Sequence, residues 1–108
     1  MPTTTAAYLT GLAATNDDAG DQPAIKRLHR SDTETVVRIA FREGQVMREH
    51  MAAHPILVLG QTGAIDFTVD GSTYRLEPGS AIRVGARVKH ALHAISAGTV
   101  TLVVIHGT

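Results

Sequence analysis

From residue 23 onward, apolar and polar side chains alternate in short runs broken by turn residues. The clearest run is 65–69, where Ile65, Phe67 and Val69 fall on one side and Asp66 and Thr68 on the other. Asp70-Gly71 follows, a pair suited to a two-residue hairpin with positive φ, and 72–76 reads as the return strand. Upstream, 35–41 is rich in β-branched residues, with Val37, Ile39 and Phe41 on one face. A shorter strand at 25–30 precedes it across the turn Ser31-Asp32. The run 56–59 is apolar on both faces, as in a strand covered on both sides. Gly60-Gln61-Thr62-Gly63 reads as another hairpin turn. Strands at 81–84, 90–95 and 99–106 complete the set, separated by Gly85-Ala86-Arg87 and Ala97-Gly98. About eight or nine short strands, with no helical period after Pro23, predict an all-β antiparallel sandwich or barrel.

Residues 1–22 differ in character, being rich in Thr, Ala and Asp. They are expected to form an N-terminal arm, partly ordered or helical, with Tyr8, Leu9 and Leu12 as its apolar positions. The β domain then spans 23–108, and a chain of 108 residues has room for one core. Val100, Leu102 and Val104 alternate with Val103 and Ile105, so the last strand is apolar on both faces. One face fills the core, and the other predicts a partner chain, most simply in a homodimer.

Charge and composition exclude several roles. Ten basic residues balance ten acidic ones, and only two Phe and two Tyr are present, so neither electrostatics nor base stacking favours nucleic acid. No apolar run approaches the roughly 20 residues that span a bilayer. The absence of cysteine removes disulfides, thiolate nucleophiles and Cys-type zinc sites. The first basic residue is Lys26, which is unlike a signal peptide, and the expected location is cytoplasmic.

The chemistry concentrates in Gly44–Gly63 and around His90. Gly44 is followed after five residues by His50, and Gly63 ends the stretch; Gly79 is followed after five residues by Gly85, and His90 lies three residues beyond Arg87. In these spacings residues 24–106 resemble the small single-domain cupins. The resemblance implies an antiparallel jelly-roll β-barrel whose cavity holds a divalent metal on three histidines and a glutamate. Two of those four positions carry His50 and His90. The second histidine falls on Ala52 and the glutamate on Ile56, while Gly85 and Arg87 replace a usual proline and glycine.

His54 is an additional histidine. In a regular strand, positions 50, 52, 54 and 56 share a face, so His54 is expected beside His50 and His90 as a third imidazole. Such a set suits Fe, Ni, Zn, Cu or Mn. Phe41, Ile56, Val58, Phe67 and Leu92 are the expected apolar walls. Arg48, Arg83, Arg87 and Lys89 are solvated charges, or a carboxylate anchor at the barrel mouth. Three functions remain open at this stage. One is a metal-dependent oxygenase or isomerase acting on a small organic molecule. The second is a metal-free small-ligand or sensory module, and the third a structural dimer unit. No catalytic residue is identified, and the residues do not decide whether the protein is an enzyme.

Overall fold

The computed structural model describes residues 6–18 and 20–107. The remaining positions of the expected arm, and residue 108, lie outside the described residues. Nine strands form: β1 (Ala24–Arg30), β2 (Glu34–Phe41), β3 (Val46–His50), β4 (Ile56–Thr62), β5 (Ile65–Val69), β6 (Ser72–Leu76), β7 (Ala81–Val84), β8 (His90–Ala94) and β9 (Gly98–Ile105). Asp70 and Gly71 have φ of 51° and 76°, the left-handed pair that the β5–β6 hairpin requires.

The pairing is that of a long hairpin rolled up. β2 pairs with β9, β3 with β8, β4 with β7 and β5 with β6, all antiparallel, and successive pairs fall in alternate sheets. Lateral pairing of β4 with β9 and of β5 with β8 closes each sheet. The result is a five-stranded sheet in the order β1-β2-β9-β4-β7, facing a four-stranded sheet in the order β3-β8-β5-β6. This is the antiparallel jelly roll. The inward residues of both sheets make one core, including Phe41, Ile56, Val58, Ile65, Phe67 and Val100.

One expectation about local structure is corrected. Gly60–Gly63 is not a turn, because β4 continues through Thr62 and the reversal falls at Gly63-Ala64. Gly60 is instead required where a Cβ would collide with the Glu77 backbone. The described part of the arm carries no helix. It runs irregularly, and side chains fasten it. Asn16 Nδ2 donates to Gln45 Oε1 (3.0 Å), and Gln45 Nε2 donates to the Gln22 carbonyl (3.2 Å). Arg38 holds the Gly11 carbonyl at 2.9 Å. Asn16 and Gln45 are both buried, so this polar clasp is built into the fold, while Tyr8 farther out is 94% exposed.

Candidate functional site

A small cavity lies between the sheets at the end where β3 stops and β8 starts. It measures about 160 Å³. His50 and His90 are its polar lining residues, and its walls are hydrocarbon from both sheets, including Ile56, Val58, Phe67 and Leu92.

His50 reaches the cavity through an irregularity. Met47 pairs with Leu92 and His50 with His90, so three steps along β3 oppose two along β8. A regular strand with Met47 inward would turn His50 outward. The bulge at Arg48-Glu49 reverses the phase and aims the imidazole inward, a common use of bulges beside functional sites. The two rings then meet edge to face, with centroids 4.4 Å apart. His90 also stacks on Phe67, at 5.3 Å and 12° between planes.

Both imidazoles are oriented by the backbone. His50 Nδ1 donates to the Arg48 carbonyl at 2.7 Å, and His90 Nδ1 to the Val88 carbonyl at 3.0 Å. A carbonyl only accepts, so Nδ1 carries the proton in each neutral ring and Nε2 keeps its lone pair. Burial pushes the His90 imidazolium to a lower pKa than usual; the Val88 carbonyl opposes this and His50 adds to it.

The residues expected at the site divide. Ile56, Val58, Phe67 and Leu92 line the cavity with His50 and His90. Phe41 does not, being buried in the core away from the cavity. His54 is not brought to the other two imidazoles. The chain leaves β3 at His50 and is irregular until Ile56, so the alternation that would carry positions 50, 52 and 54 onto one face does not hold. His54 is exposed, and its ring lies against His106, with centroids 5.9 Å apart. His106 in turn hydrogen-bonds Thr35 Oγ1 at 2.9 Å. Ile39, Met47, Leu102 and Val104 are further cavity residues. Strand alternation points to Ile39, Leu102 and Val104, whereas Met47 could be placed only with the bulge known. Arg83 lines an open groove between β6 and β7, and Arg48 an open polar groove beside the arm; neither lines the cavity.

A cupin domain family model matches residues 37–106, more than half of the chain. The chain belongs to the cupin family. No curated protein matches the sequence. Among solved structures, this cupin is similar to a cupin superfamily protein of Desulfitobacterium hafniense, at 20% identity and TM-score 0.74, over 82% of each chain. It is also similar to KdgF from Halomonas sp., at 19% identity and TM-score 0.76, over 94% of each chain. Salicylate 1,2-dioxygenase of Pseudoaminobacter salicylatoxidans aligns at 17% identity and TM-score 0.74, over 82% of this chain and 26% of that one. At these identities the likeness establishes the fold.

Membership makes the donor set of the cavity informative. The four positions where cupins usually carry metal ligands all line this cavity, as His50, Ala52, Ile56 and His90. Two imidazoles therefore face a methyl and a sec-butyl group. Among the described residues, no group of three or more His, Cys, Asp or Glu side chains is arranged to hold a metal ion. The residues present do not fit a resident zinc ion, whose structural and catalytic sites alike draw at least three protein ligands.

Proposed function

We propose that this cupin holds a small, largely apolar organic molecule in its barrel cavity, without a resident metal, as a binding or sensory module. The observation that carries the reading is the replacement of two donors by carbon at Ala52 and Ile56, on the wall of a small, largely apolar cavity. Methyl-resolved NMR of the full chain, titrated with a panel of small hydrocarbons and hydrocarbon alcohols, tests it. The expected result is saturable shifts at Val58 and Leu92 that chelator does not change. Shifts that require added metal would overturn the reading.

One observation favours a metal-dependent reading, in which a small organic substrate would complete the ligand set as in an oxygenase or isomerase. Both Nδ1 atoms are tied to carbonyls, which leaves both Nε2 lone pairs free, as in ligating histidines. A first-row metal retained by the wild type and lost in His50→Ala would favour it.

We further propose that the protein is a homodimer joined through the outer face of the five-stranded sheet. Val36, Val103 and Leu57 lie side by side across β2, β9 and β4 and alternate with core residues, so they point outward. The row ends at Arg83 on one edge and at His29, 3.7 Å from Glu34, on the other. A two-fold axis along β9 would set Arg83 of each copy near Glu34 of the other, which makes the face self-complementary. Light scattering after size exclusion should give twice the chain mass, and Leu57→Lys the single mass; a monomeric wild type would refute the proposal.

A further inference from the structure

Three features of the cavity narrow the class of molecule it takes, given its reading as a metal-free binding site. Its volume of about 160 Å³ is close to that of an engineered apolar cavity of roughly 150 Å³ that stays dry and binds benzene. The hydrocarbon part of a ligand is thereby held to about six to eight non-hydrogen atoms.

The second feature is the fixed direction of the two imidazoles. With Nδ1 of His50 and His90 given to backbone carbonyls, each neutral ring presents an acceptor and no donor to the cavity. Among the described residues, nothing hydrogen-bonds Nε2 of His90. The only fully enclosed side-chain nitrogen or oxygen left without a partner among them is Arg38 Nε. His90 lines the cavity, and Nε2 is the ring nitrogen it has left to accept from a ligand.

The third feature is the rest of the wall, which is hydrocarbon and supplies no donor for a carboxylate or phosphate. Burial of the His90 ring works against its imidazolium form. Against neutral imidazoles a buried anion would meet acceptors and no compensating hydrogen bond, an arrangement that costs far more than burying a paired hydroxyl.

We infer that the cavity takes a neutral, compact hydrocarbon carrying one hydroxyl, which it donates to Nε2 of His90, with phenol as the simplest probe. The hydroxyl satisfies an otherwise empty acceptor, and the hydrocarbon packs against Ile56, Val58 and Leu92. Phe67, stacked on the His90 ring, fixes the direction of the acceptor and so the pose of the ligand.

Phenol, benzene and benzoate should be titrated into the full chain and followed on cavity methyl resonances. Phenol is expected to bind about fivefold more tightly than benzene, the ratio of one net hydrogen bond. Benzoate should bind more weakly than benzene. In His90→Phe, which keeps the stack on Phe67 and removes the acceptor, the advantage of phenol over benzene should vanish while benzene still binds. Equal binding of phenol and benzene by the wild type, or a preference for benzoate, would overturn the hydroxyl assignment and leave the apolar cavity reading standing. A well-folded wild type whose cavity methyls respond to none of the three would overturn both. The wild-type series decides the matter even if His90→Phe folds poorly.

Discussion

Restoring the two missing donors should convert this cavity into a metal centre, and the cost can be worked out in advance. In Ala52→His/Ile56→Glu, Ile56 is the expensive site, since it is 3% exposed in the core. Losing its burial costs about 1.5–3 kcal/mol. Placing a carboxyl there without partners adds roughly another 2 kcal/mol or more, even if it takes up a proton. The metal-free variant should therefore lose about 4–5 kcal/mol, a large part of the roughly 5–15 kcal/mol of an ordinary domain. A metal present at a hundredfold excess over its dissociation constant returns about 2.7 kcal/mol. For a domain near 100 residues that corresponds to a rise of roughly 10–20 °C in Tm. Thermal unfolding with and without Zn or Ni measures it. The wild type should show no such rise, and the double variant should. A folded double variant indifferent to metal would refute the claim that positions 50, 52, 56 and 90 converge.

Three further outcomes follow from particular contacts. Arg87 has φ of 63°, a left-handed conformation that disfavours side chains with a Cβ, and its N–H bonds the Ala52 carbonyl at 2.8 Å. Arg87→Gly keeps that bond and should stabilise the fold by about 0.5–1 kcal/mol, read as a higher Tm; a lower Tm would show that the strain is absent. Gln45→Ala removes the clasp on Asn16, Gln22 and the Arg42 N–H, and should cost about 1–3 kcal/mol and expose the arm to limited proteolysis. Unchanged cleavage in the arm would mean that other contacts hold it. The His90 pKa is lowered in the folded state from 6.5, so the unfolded chain binds more protons below that pH. The His90 contribution is thus fully present above about pH 6.5 and is lost as the pH falls through the lowered folded value. Denaturant unfolding from neutral to acid pH should show this loss, and His90→Phe should remove that part of the slope.

Strands such as β5 were legible from the alternation that a half-buried sheet imposes, β4 and β9 from short runs apolar on both faces, and Asp70-Gly71 because few pairs accept two positive φ values. The site was legible only in part, and the reasons are local. Nothing in Arg48-Glu49 announces a bulge, yet that one added residue decides which way His50 points. His54 misled because Pro55 and its neighbours break the strand, and alternation does not survive an irregular segment. Phe41 has the right face of β2 but the wrong end of the barrel, and alternation specifies the face alone. Gly60 drew attention as a turn residue, whereas its use is close approach to the Glu77 backbone.

The most direct test of the central claim is elemental analysis of the untagged protein, purified without chelator and then incubated with iron, nickel, zinc, copper or manganese. The account predicts metal contents far below one per chain, unchanged in His50→Ala. A first-row metal near one per chain, lost on replacing His50 or His90, would contradict it and return the cavity to metal-dependent chemistry.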